Sequence, residues 1–273
     1  MSSVSSMNSP LVVIAGGSSA AGVAVARALL GDGMRVLSVG SDAGRIQAAA
    51  ELTPGAVPLV CNLADPDDVA DLVADIHEGF GPVDGLIHLV GGWRGGKGIT
   101  GQSDADWDFL HTTVLTTLRT TSRAFYDDLA ASPVGRLAIV SSTTVTDPSA
   151  GDANYASIKA AAETWLRSVA AGFAAGTGPE SGTGPRAGSG TGSGPATSTG
   201  AGTAAGEGST EGGAAGVVLV VKALLDDAMR ARFPERRFPG FTDVAVLGSA
   251  VAGLFATPGA QLNGARIILD SNS

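Results

Sequence analysis

The run LVVIAGGSSAAGVAVARALL over residues 11–30 constrains the fold more than any other part of the chain. Leu11 to Ala15 are apolar and rich in β-branched side chains, the pattern of a strand buried on both faces. Gly16 and Gly17 follow at once, and VAVARALL then reads as a helix ending at Gly31-Asp32-Gly33. Buried strand, glycine turn and helix in immediate succession form a unit whose turn can cradle a phosphate. Gly16 permits the tight turn, Ser18 and Ser19 offer hydroxyls, and Gly22 lets helix and strand approach closely. The helix N-terminus presents free N–H groups to an anion. A plain strand-to-helix turn also favours glycine, so the rest of the chain has to carry the reading.

The alternation continues. Apolar runs at 34–39, 56–61, 83–90, 134–141, 217–221 and 265–269 read as further strands. Helical patterns cover 42–52, 65–79, 107–131, 152–175 and 243–256, with Asp65 as N-cap and Pro66 at the first helical position. Strands alternating with helices predict an α/β fold with a parallel sheet and right-handed crossovers: a Rossmann-type, doubly wound sheet of about seven strands in a single domain. The Ser-rich residues 1–9 are expected to be a flexible tail, and 10–273 the domain itself. Residues 176–215 are almost wholly Gly, Ser, Thr, Ala and Pro. That composition cannot bury enough apolar surface to offset its ordering entropy, so a disordered insertion is expected there.

Composition narrows the partners. The net charge is −9 and the pI near 4.7, which argues against nucleic acid and anionic membrane surfaces. Cys61 is the single cysteine, excluding an internal disulfide and a cysteine-based metal site, and no His/Asp/Glu spacing suggests another metal site. No apolar run approaches the roughly 20 residues of a membrane span, and MSSVSSMNSP lacks a signal peptide's basic start, so a cytoplasmic protein is expected.

A second constellation lies at Ser142, Tyr155 and Lys159. Tyr155 and Lys159 stand four apart and share one helix face, where an ammonium near a phenol is expected to lower the phenol pKa. Ser142 ends the apolar run at 137–140, on the strand edge where α/β sheets place functional groups.

With these motifs in hand, the chain resembles the short-chain dehydrogenase/reductase (SDR) family as a divergent member. The family's TGxxxGxG reads Ala15-Gly16-Gly17-Ser18-Ser19-Ala20-Ala21-Gly22 here, with Ala20 in place of the middle glycine. Its adenine-contacting acidic position is similar to Asn62, and its Ser and YxxxK fall on Ser142, Tyr155 and Lys159. The resemblance implies an NAD(P)-dependent oxidoreductase acting on a small-molecule carbonyl or alcohol. Tyr155 would be the proton donor or acceptor, Ser142 would hold the substrate oxygen, and Lys159 would lower the phenol pKa and bind the nicotinamide ribose. Gly16, Ser18, Ser19, Gly22, Ser41, Asn62, Gly91, Tyr155 and Lys159 would contact the cofactor. It also implies a homodimer or homotetramer formed through the long helices, with which the threonine-rich face of 112–121 is compatible.

Departures are as informative. The family's Asn-Asn-Ala-Gly is His88-Leu89-Val90-Gly91, its catalytic asparagine aligns with Val114, and its Pro-Gly after the sixth strand aligns with Leu224-Leu225. A proton relay through that asparagine is absent, or rebuilt from His111 or a nearby threonine. Gly40-Ser41 ends the second strand without the carboxylate that favours NAD, so NADP(H) is preferred, with Ser41 and Arg45 placed to take its 2′-phosphate. His88 reads as a packed core histidine. Trp93 and Arg94 read equally as pocket wall and as exposed loop, while Lys97 lacks the full phosphate-loop spacing. Arg230, Arg232, Arg236 and Arg237 read as a solvated face or as a preference for anions. Two classes remain open. The intact Ser142, Tyr155 and Lys159 favour a working NADPH-dependent carbonyl reductase or alcohol dehydrogenase. Val114, Leu224 and Leu225 favour a dinucleotide-binding sensor, scaffold or non-redox enzyme.

Overall fold

The structure, a computed structural model, describes residues 9–176 and 213–269. Most of the expected tail (1–9) and most of the expected insertion (176–215) therefore lie outside the described residues.

The chain enters through β1 (Leu11–Ala15), α1 (Ala20–Gly31), β2 (Arg35–Gly40), α2 (Ala43–Glu51), β3 (Ala56–Val60), α3 (Pro66–Gly79) and β4 (Gly85–His88). It continues through α4 (Asp104–Leu110), α5 (Thr117–Ala124), α6 (Tyr126–Ala131), β5 (Arg136–Ser142) and α7 (Ala153–Gly176). After residue 213 come β6 (Ala215–Val221), β7 (Leu224–Leu225), α8 (Asp227–Arg232), β8 (Thr242–Asp243), α9 (Val244–Ala256), α10 (Gly259–Leu262) and β9 (Arg266–Ile268). Seven strands form one parallel sheet in the order β3-β2-β1-β4-β5-β6-β9. The expected Rossmann-type sheet is thus observed. β7 and β8 form a separate two-stranded pair.

Alternate side chains of each strand feed two cores. From β1, Leu11, Val13 and Ala15 pack beneath α3, α5 and α7, while Val12 and Ile14 pack beneath α1 and α9. All five are at most 1% exposed, and each large one contributes roughly 1.5–3 kcal/mol by leaving water. The sheet therefore lies between two helical layers, which is why its strands read as continuous apolar runs.

Two local features went beyond the sequence pattern. The helix expected over 107–131 is interrupted by a π-helical segment, His111–Thr116, and breaks again at Phe125. Its threonines turn their hydroxyls back on the helix: Thr113, Thr117, Thr120 and Thr121 donate to the carbonyls four residues earlier at 2.7–2.9 Å. Such back-bonding competes with the helical ladder, and the interruption falls among these threonines. Thr117, Thr120 and Thr121 are also buried within the chain, so the threonine-rich stretch is not simply an outward face awaiting a partner. The second feature is Arg136, 2% exposed at the start of β5. It donates to the carbonyls of Gly135, Gly213, Leu254 and Thr257 at 2.7–2.8 Å. A guanidinium there satisfies the end of α9, where a cation is favoured, and pins the entry to β6. Among the described residues no helix is long and apolar enough to cross a membrane.

Candidate active site

The sheet order reverses between β1 and β4, and the crevice beyond the strands' C-terminal ends at such a point is where open α/β sheets bind ligands. The glycine turn reaches into it. Gly16 has φ +88°, and the N–H groups of Gly16 and Gly17 both donate to the Val39 carbonyl at 3.0 Å. A Cβ on Gly16 would stand 3.0 Å from the backbone of Leu89 and Val90, and one on Gly22 would stand 2.6 Å from the Gly17 carbonyl oxygen. Only glycine allows this approach of turn, helix and neighbouring strand. Ser19 caps α1, accepting from the Gly22 N–H at 3.0 Å and donating to the Gly16 carbonyl at 2.9 Å. Its hydroxyl thus closes the turn upon itself rather than standing free. Ser18 is partly exposed and faces Gly40.

A cavity of about 390 Å³ runs from this turn to the ends of β4, β5 and β6, lined among others by Ser19, His88, Gly91, Ser142, Tyr155 and Lys159. Ser142 is the last residue of β5 and 2% exposed; its oxygen accepts from the Thr144 N–H (3.2 Å) and from the Thr144 hydroxyl (3.0 Å). It lines the same cavity as the Tyr155 phenol. Lys159, one turn along α7, is 8% exposed and donates to the Val140 carbonyl at 2.8 Å, with Nζ 5.8 Å from the centre of the Tyr155 ring. Burial holds the lysine down at about 8, opposed by the Glu163 carboxylate.

The expected effect of Lys159 on Tyr155 needs correction. Burial pushes the phenol above its ordinary value; the nearby Ser142 hydroxyl pulls it down, and the charge of Asp152 adds to the rise. The ammonium is committed to a backbone carbonyl, so desolvation decides the direction.

A model of the short chain dehydrogenase family matches residues 10–176, more than half of the chain. The chain belongs to the short-chain dehydrogenase/reductase family. Its members are NAD(P)(H)-using oxidoreductases, and the Rossmann-type sheet observed here accords with that membership. The chain is 26% identical over 166 residues to the 3-oxoacyl-(acyl-carrier-protein) reductase FabG of Salmonella typhimurium, covering 60% of this chain and 68% of that one. It is 29% identical over 164 residues to a short chain dehydrogenase of Pseudocercospora fijiensis, covering 58% and 53% respectively. Among solved structures it resembles the NADPH-bound short chain oxidoreductase of Pseudomonas aeruginosa, described as containing an atypical catalytic center. That match has a TM-score of 0.74 and 18% identity, over 96% of this chain and 95% of that one. An oxidoreductase of the same family from Burkholderia thailandensis matches with a TM-score of 0.74 and 18% identity over 97% and 92%.

In this SDR the positions that depart from the family pattern are filled by packing. Val114 lies in the π-helical segment, 3% exposed, with Cγ2 3.3 Å from where a Gly91 side chain would begin. His88 is 3% exposed, and its Nε2 lies 2.9 Å from Thr117 Oγ1. That hydroxyl already donates to the Thr113 carbonyl at 2.8 Å, so Nε2–H is the donor to it. Burial, with the nearby Lys159 charge, drops His88 to about 3, leaving it neutral as a packed histidine is expected to be. His111 is exposed, 3.5 Å from Thr116, and does not line the cavity; of the two relay candidates only a threonine, Thr117, reaches the buried histidine. Leu224 and Leu225 pair with Thr242 and Asp243 as β7 and β8, a bridge that proline would disfavour.

The adenosine side is more open. Ser41 and Asn62 are exposed beyond β2 and β3 and do not line the main cavity; Asn62 instead accepts from the Ala64 N–H at 3.3 Å. Asp42 caps α2 and lies 3.8 Å from Arg45 Nε, so the arginine expected to take a 2′-phosphate has a carboxylate neighbour. Ser18, Arg27 and Arg45 line a separate cleft of about 400 Å³ with Asp226 and Asp227. Trp93 is 62% exposed at the cavity mouth, and Arg94 stacks 3.9 Å over Phe109 and pairs with Asp106 at 3.5 Å. Arg230 pairs with Asp243, while Arg232 and Arg236 lie over Phe233, as on a solvated face. Two residues beside the site had escaped attention: Glu163, one helical turn past Lys159, and Arg266 on β9, which meets it. The first lay within reach of the same four-residue spacing; the second did not.

Proposed function

We propose that this SDR is an NADPH-preferring carbonyl reductase, or an alcohol dehydrogenase in reverse, that works through Ser142, Tyr155 and Lys159. The observation carrying the reading is that Ser142, Tyr155 and the Lys159 amine open into one cavity with the glycine turn. The turn fits a dinucleotide: Gly16, Gly17 and Gly22 leave no side chain between strand, turn and helix, and the first-turn N–H groups of α1 other than Gly22's, which is held by the Ser19 cap, would be donors for its phosphates. Gly16, Ser18, Gly22 and Gly91 would hold it, with Tyr155 and Lys159 at its ribose and Ser41, Arg45 and Asn62 on the adenosine side. When bound, such a cofactor supplies or accepts a hydride at the carbon of the substrate's carbonyl or alcohol. The Tyr155 phenol, kept protonated by its raised pKa, delivers a proton to the oxygen that gains negative charge. Ser142 holds that oxygen as a hydrogen-bond donor, a role worth most in a partly dry site. The likeness to a 3-oxoacyl reductase supports carbonyl reduction, and the absence of a carboxylate at Gly40-Ser41 supports NADPH. A homodimer or homotetramer accompanies the same reading.

Val114 and the neutral, packed His88 favour a second reading, a dinucleotide-binding protein with impaired or non-redox activity. Titrating NADPH and NADH against nicotinamide fluorescence, then assaying a panel of ketones and aldehydes with NADPH, separates the two. Binding with turnover supports the enzyme, binding without turnover the second reading, and no binding of either nucleotide refutes both.

A further inference from the structure

Tyr155, Lys159 and Glu163 follow one another at four-residue intervals, so α7 carries phenol, amine and carboxylate as a ladder along one face. Two of them bond adjacent residues of β5. Lys159 Nζ donates to the Val140 carbonyl at 2.8 Å, the Ser141 hydroxyl donates to Glu163 at 2.5 Å, and Ser142 shares the cavity with Tyr155. Glu163 is 5% exposed, and Arg266 Nε reaches both of its oxygens at 3.1 and 3.3 Å. Arg266 also reaches the Ser142 carbonyl at 3.4 Å. Burying a carboxylate is costly even when paired, and breaking such a pair is costlier still, so this cluster is a committed feature of the fold.

We propose that Glu163 is a positioning residue for the Tyr155–Lys159 pair: clamped by Ser141 and Arg266, its carboxylate registers α7 on β5 and keeps the Lys159 amine charged. The inference rests on the reading of that pair as the proton-handling site. The groups facing Lys159 are Tyr155 and Glu163 from its own helix, neutral His88 from β4, the Val140 carbonyl from β5, and Arg266 of β9 acting through Glu163. Asp152 acts on Tyr155. Glu163 is thus the anion that opposes the desolvation of Lys159, and Arg266 pairs with that carboxylate at 3.1 Å.

The chain has three lysines, Lys97, Lys159 and Lys222, so NMR titration of the full-length protein with isotope-labelled lysine reads Lys159 directly, assigned through Lys97→Arg and Lys222→Arg. Wild-type Lys159 should titrate near about 8. Glu163→Gln keeps the shape and a bond to Ser141 but loses the charge. It should move half-titration to a proton concentration roughly tenfold higher, and the pH profile of NADPH-dependent reduction with it. Arg266→Gln should move Lys159 the opposite way. An unchanged Lys159 titration in folded Glu163→Gln overturns the proposal; if that variant does not fold, an unchanged titration in Arg266→Gln does so. If the wild type turns over no carbonyl, the proposed function fails while the lysine titration still decides the role of Glu163.

Discussion

Replacing Gly22 with alanine tests the nucleotide turn while leaving Ser142, Tyr155 and Lys159 as they are. The new Cβ would lie 2.6 Å from the Gly17 carbonyl oxygen and 2.7 Å from that of Gly16, both backbone atoms that cannot swing away. α1 must therefore retreat from the turn. Overpacking of this kind costs about 1–3 kcal/mol, offset in part by alanine's better helix propensity. In a chain of this size each kcal/mol lowers the melting temperature by roughly 2–4 °C. The larger effect falls on binding, because the retreat carries the N–H groups of α1 away from the phosphates. NADPH affinity should drop at least roughly tenfold, equivalent to about 1.4 kcal/mol. Gly31→Ala, at the other end of α1 with nothing within 4 Å of its added Cβ, is the control. It should bind NADPH as wild type does and melt at or above the wild-type temperature, by up to about 1 kcal/mol. Fluorescence titration and thermal melts of both variants decide the matter. Wild-type affinity and melting in Gly22→Ala would show that close packing at Gly22 does not shape the site.

Three further outcomes follow from the geometry. Tyr155→Phe should fold normally and lose roughly 10²–10⁴-fold in kcat on any carbonyl that the wild type reduces, whereas retained turnover would remove the phenol as proton donor. His88, held down at about 3 in the fold against 6.5 ordinarily, leaves the unfolded chain binding one more proton between those values. Stability should therefore decrease as the pH is lowered from 6.5 toward 3, by roughly 1 kcal/mol per pH unit in the middle of that window, and melts of His88→Gln should be flatter there. An equally steep wild-type and mutant profile would exclude His88 as the cause. Asp42→Asn releases Arg45 from its neighbouring carboxylate and should raise affinity for NADPH relative to NADH, measured by paired titrations; an unchanged ratio would place the 2′-phosphate elsewhere.

Much of this molecule is local and was legible as such. β1, the glycine turn and the Ser19 cap follow from short-range rules: β-branched side chains stiffen a strand, glycine permits φ +88°, and a serine hydroxyl satisfies an orphan helix N–H. The parallel sheet followed from alternation and handedness, and the Tyr155–Lys159 spacing from helical geometry. What could not be read were energies set by groups distant along the chain. The phenol rises because it is buried, Lys159 turns to the Val140 carbonyl, and Glu163 meets Arg266 across 103 residues. The long helix turns π-helical where its own threonines compete for carbonyls, and Leu224-Leu225 find a strand partner at 242–243. Sequence alone determined which functional groups occupy the end of the sheet, because backbone propensity and periodicity are short-range. Only the tertiary structure decided their protonation and partners, because desolvation and Coulomb interactions depend on what the fold packs around them.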